Sequence, residues 1–464
     1  MSFGASLRCL LMAARTSEAE PRLEVADIQG NTLRPYGFEN AAFLFVRVDD
    51  AEAGRRWLGE RAEEVTTAEP WEEGKPITTL NIRLTYAGLE ALGVPERLLE
   101  TFPDDFRAGM AARASLLGDV GPNSPEEWED GLGTGEAHVL LRIDAQRPEA
   151  FEEEIERLSA SVAEVGPVVN EQRAAFLPSG RNHFGYVEGA GAVAVLGSGV
   201  PTHRGEGTPE RRDGWRPLKP GEFILGYEDE DNELPDAPEE PLARNGSFMV
   251  YRKFFMDVPK FTSFLRESAR FMGGDEEVVA AKIMGRWRDG SPLVLSPERP
   301  DPELAADPDR VNDFRYDSDL QGLRCPLGAH IRRANPRDAL GWHGSLSLRH
   351  RMIRRGVSYG PPPEDPAVDD GVDRGLVFTC FVASIERQFE TVQTTWLNDG
   401  NVFGLAGDKD FLLGPEDTAG KMTVHGNPPV FLTPQPGFVR VRGGEYLFQP
   451  GLNALRAIAA GIPA

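Results

Sequence analysis

The chain has 464 residues, with 50 basic against 74 acidic side chains and a formal charge of −24. That length allows roughly two to four domains, and a composition of 40 % apolar and 27 % charged residues suits a folded core large enough to enclose a sizeable cofactor. The acidity excludes general binding to nucleic acid or to an anionic membrane, since both would repel the chain.

The start of the chain has one short apolar run, residues 7–14, broken by Arg8 and lacking a signal-peptide core. Residues 1–22 therefore read as an arm. No window reaches the length of a membrane-spanning helix. Cys9, Cys325 and Cys380 are too scattered for a disulfide framework or a zinc site, which suits a reducing compartment. Cytoplasmic residence is expected.

A strand followed by an amphipathic helix recurs along the chain. Residues 42–48 (AFLFVRV) precede a helical pattern over 51–64, and 138–143 (HVLLRI) precede one over 148–165. In the latter, Phe151, Ile155, Leu158, Val162 and Val165 are spaced 4, 3, 4 and 3 apart, one apolar face. Residues 247–254 (SFMVYRKF) lead into 258–272, with Phe261, Phe264, Leu265, Ser268 and Phe271 on one side. Residues 376–383 lead into a helix bearing Ile385, Phe389, Val392 and Trp396 on one face, with Ser384 as its N-cap. A last strand over 438–442 stops at Gly443-Gly444, and residues 452–460 close the chain as a short helix. Such units in both halves predict α+β layers, with helices covering antiparallel sheets and a junction near the acidic, proline-containing segment 227–241. That segment reads as a solvated loop without a role.

The densest chemistry lies in residues 324–355, which carry eight arginines, three histidines and a single acid, Asp338. In so acidic a chain this cationic island suits an anionic partner. His330, in apolar company beside Arg332 and Arg333, suits a metal centre with negatively charged substituents, such as haem with its propionates. A solvated basic face is the competing reading.

Five pieces in order carry a family resemblance: Asp27-Ile-Gln-Gly-Asn31, His183-Phe-Gly-Tyr-Val-Glu-Gly189, Gly221-Glu-Phe-Ile-Leu-Gly-Tyr227, the segment from Cys325 to Arg337, and Arg354-Arg-Gly-Val-Ser-Tyr-Gly360. Residues 375–397 and 441–446 fit its longer-chain cytosolic branch. The chain resembles the dye-decolourising peroxidases from about residue 27 to about 458. The resemblance implies two ferredoxin-like halves, set here at residues 23–235 and 236–464, with the cofactor in the second. It implies one haem b per chain, hydrogen peroxide as oxidant and small aromatic or dye-like electron donors. A high-valent iron–oxo intermediate would carry the oxidation, and a homo-oligomer is compatible with it.

Residue by residue, His330 corresponds to the iron ligand. Asp410 corresponds to the carboxylate behind it, with Asp408 as the near alternative. Arg354 corresponds to the distal arginine because it stands six residues before Gly360, with Arg351 as the fallback. Arg332, Arg333 and His183 are candidate partners of the propionates; surface carboxylates for the arginines, and a core position for His183, are the alternatives. Leu376 and Phe378 are expected to form an apolar distal wall. Trp342, Tyr359 and Trp396 are candidate surface routes for electrons.

Glu188 departs from the family pattern, which has aspartate there. Its intrinsic pKa is similar, but the extra methylene moves the carboxylate by about 1 Å, a displacement able to cost about a hundredfold in rate. Either Glu188 carries the peroxide proton, or it points away and leaves Arg354 and a water to act. The third reading is a haem-binding sensor, storage or delivery protein with weak turnover.

Overall fold

A computed structural model describes residues 22–189, 191–210 and 214–462. The expected arm and Cys9 lie outside the described residues, apart from Arg22 at the arm's end. In the first half, β1 (Asn40–Val46), α1 (Ala51–Ala62) and β2 (Thr78–Leu84) are followed by β3 (Val139–Ala145), α2 (Pro148–Ser161) and β4 (Val168–Ala175). The strands lie in the order β4-β1-β3-β2, all antiparallel, which is the ferredoxin-like arrangement.

The second half repeats it. β5 (Ser247–Met256), α3 (Val258–Ala269) and α4 (Glu276–Met284) are followed by the short helix α5 (His330–Ala334). Then come β6 (Ile353–Arg354), β7 (Val357–Tyr359), β8 (Gly375–Val382), β9 (Val439–Gln449) and α6 (Leu452–Ala459). Here the order is β9-β5-β8, with β6 and β7 both on the free side of β8. The halves join where Phe448 of β9 pairs with Leu84 of β2.

Strand alternation explains the layers. In β1, Ala42, Leu44 and Val46 pack with Trp57, Leu58, Ile155 and Leu158 of the covering helices. Phe43 and Phe45 point the other way, into a core shared with the second half, where their rings meet Tyr251 at 5.4 and 5.0 Å. A strand buried on both faces reads as a continuous apolar run, as this one does.

Three expectations change in detail. Phe271 is 80 % exposed, because α3 ends at Ala269 and the chain leaves the buried face. Residues 385–397 are wound as π-helix in two pieces, Ile385–Glu390 and Val392–Leu397. The hydroxyls of Thr391 and Thr394 donate to the carbonyls of Glu386 and Glu390 at 2.9 and 2.7 Å, competing with the regular backbone ladder. Ser384 does cap this segment, and Ile385, Phe389, Val392 and Trp396 are buried. Finally, Gly443-Gly444 does not end the last strand. β9 runs through it with a register shift between Val441 and Gly443. A Cβ on Gly443 would lie 2.3 Å from Leu132, and one on Gly444 would lie 2.1 Å from the Met110 sulfur, so both positions serve close packing.

The acidic segment 227–241 is more than a solvated loop. Asp229 is buried and receives Arg349, and also Arg387 at 3.3 Å. Part of the cationic island is neutralised in such ion pairs, while other members of it face a cavity.

Candidate active site

A cavity of about 690 Å³ opens between α5, β6–β8 and the segments around residues 182–206. Its volume is that of a cofactor or ligand site. His330, Glu188, Arg354, Leu376 and Phe378 all line it.

His330 opens α5, whose entry is packed tightly. A Cβ on Gly285, just past α4, would lie 2.6 Å from Ile331 and 3.3 Å from Ala329. The Nδ1 of His330 lies 3.1 Å from Oδ2 of Asp410. The other oxygen of Asp410 accepts the backbone N–H groups of Leu412 and Leu413 at 3.1 and 2.9 Å. Burial would raise the Asp410 carboxyl, but His330, Arg333 and these donors outweigh it and hold the pKa below the ordinary value. An anionic Asp410 assigns the proton to Nδ1 of His330 and leaves Nε2 as a lone-pair donor. Asp408, the alternative partner, is held instead by Lys421 at 2.7 Å.

Arg354 is placed by strand pairing. It stands opposite Cys380 on β8, while Ser358 stands opposite Leu376. The shared register puts Arg354, Ser358, Leu376 and Phe378 on one face of the sheet. The guanidinium donates to the Gly191 carbonyl at 3.2 Å, and a side chain at Gly191 would press on it from 3.1 Å. Arg354 has no ion pair among the described residues.

The same holds for Arg286, Arg337, Arg351 and Arg355, which also line the cavity. Arg337 donates to the carbonyls of Gly205, Asn312 and Phe314, and Arg351 to those of Gly207 and Glu206. Burial lowers Arg286, Arg337, Arg351 and Arg355 to about 10, which leaves them cationic at neutral pH. Uncompensated cations around one cavity are costly unless an anion joins them.

Glu188 sits in a turn shaped by its neighbours. Asn182 Oδ1 accepts the N–H groups of Phe184 and Tyr186 at 3.1 and 3.2 Å. Gly185 and Gly189 take φ of +88° and +74°, the region glycine reaches without strain. One carboxylate oxygen of Glu188 accepts the Ser358 hydroxyl. The other, Oε2, is buried without a hydrogen-bond partner among the described residues. Burial raises the Glu188 pKa above its ordinary value, and the Ser358 bond offsets part of that.

Three sequence candidates lie elsewhere. His183 is buried outside the cavity lining, its Nε2 2.8 Å from the Tyr359 carbonyl, and burial lowers its pKa. It is a core histidine. Arg332 turns away to bond Asp319 and the Cys325 carbonyl, closing the loop before His330. Arg333 donates to the carbonyls of Trp396 and Asp408 at 2.7 and 2.8 Å, tying α5 to the segment that carries Asp410. The helix turns both arginines away from the cavity, and neither lines it. Of the aromatic candidates, Trp342 is 78 % exposed, whereas Tyr359 and Trp396 are buried.

Sequence reasoning missed Ser358 and Arg286, and it favoured Arg332 and Arg333 over Arg337 among the island's arginines. Arg354 and Ser358 lie on separate short strands but pair with positions of one parity on β8, and their even spacing of four residues was the available signal. Arg286 and Arg337 carry no comparable local pattern.

Comparison with known proteins agrees with this architecture. The model of the DyP dimeric alpha+beta barrel domain matches residues 27–176, and that of the Dyp-type peroxidase C-terminal domain matches residues 227–405. Dye-decolorizing peroxidase msp1 of Mycetinis scorodonius is 30 % identical, over 96 % of this chain and 89 % of that protein. Multifunctional dye peroxidase DyP2 of an Amycolatopsis strain is 31 % identical, over 96 % and 97 %. A solved dye-decolorizing peroxidase in complex with 2,6-dimethoxyphenol superimposes with a TM-score of 0.78 at 28 % identity, covering 94 % of this chain and all of that one, 100 %. The chain belongs to the dye-decolourising peroxidase family. It is a peroxidase built from two ferredoxin-like halves. Among the described residues, no helix is long and apolar enough to cross a membrane.

Proposed function

We propose that the cavity holds one haem b and that the protein uses hydrogen peroxide to oxidise small aromatic or dye-like compounds. One observation carries this: His330, backed by Asp410, opens onto the same cavity as Arg354 and Glu188, and among the described residues Arg354 has no acid partner and one oxygen of Glu188 has no hydrogen bond. The donor set fits the group. Nε2 of His330 would bind the iron, with Asp410 making the imidazole more electron-donating. Arg337 and Arg351, rather than Arg332 and Arg333, would meet the propionates. Leu376 and Phe378 supply an apolar wall that excludes bulky molecules.

Bound haem would supply the two electrons that cleave the O–O bond and recover them from the donor. The chain's own residues manage charge and protons. Glu188 Oε2 accepts a proton from hydrogen peroxide and returns it to the departing oxygen, which leaves as water. Arg354 stabilises the negative charge that develops on that oxygen, and it cannot lose its own proton at working pH. Burial raises the Glu188 pKa, which makes its carboxylate a better acceptor for the peroxide proton. Exposed Trp342 is the candidate donor site for compounds too large to enter.

The test is an absorption spectrum of the haem-loaded protein, before and after one equivalent of hydrogen peroxide, beside His330→Ala. A Soret band that needs His330 and shifts within seconds supports the peroxidase. A Soret band indifferent to peroxide overturns it in favour of a haem carrier or sensor.

A further inference from the structure

We propose that Ser358 is the positioning residue that fits the longer Glu188 side chain to the cavity, by anchoring one carboxylate oxygen and leaving the other free for proton transfer. The inference rests on the peroxidase reading for its function, but not for its geometry.

Ser358 is fully buried on β7, in register with Leu376 of the cavity wall. Its hydroxyl donates to Oε1 of Glu188 across a chain separation of 170 residues. That bond is the only side-chain partner of the carboxylate among the described residues, and Oε2 keeps none. A glutamate side chain has three rotatable bonds, and holding it in one geometry costs up to about 2 kcal/mol of rotamer entropy. Left without an anchor, the carboxylate would spread over several rotamers, and an error of about 1 Å is enough to harm a proton transfer. A hydroxyl at the strand face supplies the missing constraint. It also favours the ionised form, which opposes the effect of burial.

The charged groups on the elements around Glu188 are engaged elsewhere. Arg181 donates to the carbonyls of Gly185 and Arg288, and Arg288 to the Phe184 carbonyl and Glu277. Asp289 accepts from Ser291, and Arg354 donates to the Gly191 carbonyl. Ser358 is therefore the handle on both the position and the proton affinity of this carboxylate. An aspartate at the same place would end one methylene earlier and fall short of the hydroxyl.

The experiment compares the haem-loaded wild type with Ser358→Ala, Ser358→Thr, Glu188→Asp and the double variant Glu188→Asp/Ser358→Ala. Two readouts are followed against pH: the rate of reaction with peroxide, and the infrared carbonyl band of the protonated Glu188 side chain, assigned by its loss in Glu188→Gln. Ser358→Ala is expected to move the infrared midpoint to higher pH, with the acid limb of the rate following it. A midpoint about one pH unit higher lowers the rate at acid pH about tenfold. Ser358→Thr keeps the hydroxyl and restores both. In the Glu188→Asp background the Ser358→Ala change moves neither. An unmoved infrared midpoint in Ser358→Ala, or an equal displacement in the aspartate background, overturns the proposal. If the infrared midpoint moves while Glu188→Gln reacts with peroxide as fast as wild type, the anchor stands and the proton-transfer reading of Glu188 fails.

Discussion

His330 and Asp410 are 80 residues apart in the chain, yet Nδ1 of one lies 3.1 Å from Oδ2 of the other. The bond decides which nitrogen of the imidazole faces the cavity as a lone-pair donor. Replacing Asp410 with Asn keeps the shape but removes the charge that fixes the tautomer. Haem affinity is expected to fall about 10- to 100-fold. Titration of the apoprotein with haem, followed by the Soret band, checks this; unchanged affinity would remove Asp410 from the ligand's support.

Among the described residues Arg354 has no carboxylate partner, so its role can be tested with little structural damage. Arg354→Leu should keep haem binding and the melting temperature. Its reaction with peroxide should slow about 100- to 1,000-fold, the usual cost of losing one donor to a developing oxyanion. Stopped-flow spectra after mixing with peroxide measure it. A drop of less than about threefold would point to Arg351 as the working guanidinium.

Glu188 carries a pKa raised by burial. As a proton acceptor it works only when ionised, so the peroxide rate should fall as pH drops through that raised pKa. The acid limb should therefore lie above the ordinary glutamate range. Glu188→Gln should abolish the limb and lower the plateau by about 100-fold or more. A pH–rate profile of both proteins decides the point.

Arg337 and Arg351 should act on cofactor retention. Alanine at either position removes a cation that has no acid partner among the described residues. Haem should dissociate faster, by about tenfold for each, measured by transfer to excess apomyoglobin. Arg332→Ala should instead lower the melting temperature, because Arg332 closes the Asp319–Cys325 turn.

Glu445 gives a pH dependence of stability that is separate from the cavity. It is buried on β9, accepts the Gly133 N–H at 2.6 Å, and burial raises its pKa to about 8. The folded protein holds this proton after the unfolded chain has released it. Stability from this group is therefore fully present below the ordinary glutamate pKa and is lost as pH rises towards about 8. Glu445→Gln has no such loss. It should match or trail wild type at pH 4 and exceed it at pH 8 by about 1 kcal/mol or more. Thermal melts at both pH values read the difference.

The order of pairs and helices was legible because each element carries its own period. The spacing 151, 155, 158 makes one helix face wherever it occurs, and a run such as AFLFV is buried on both sides. His330, Arg354 and Glu188 were legible because short motifs surround them. Other features depend on contacts that no local pattern encodes. The π-winding of residues 385–397 accompanies threonine hydroxyls bonded to backbone carbonyls, and the course of β9 through two glycines sets its backbone against Leu132 and Met110.

By itself, then, the sequence determined the doubled strand–helix pattern, the net acidity and the candidate groups for metal binding and peroxide chemistry. Only the tertiary structure decided which arginines face the cavity and which are spent elsewhere. The eight arginines of residues 324–355 look alike in the chain, but a guanidinium is cationic wherever it goes. Whether it meets an acid, a carbonyl or an open cavity is set by the direction of a helix turn or a strand face. The short helix turns Arg332 and Arg333 away, while the pairing of β6 and β7 with β8 turns Arg354 and Ser358 in.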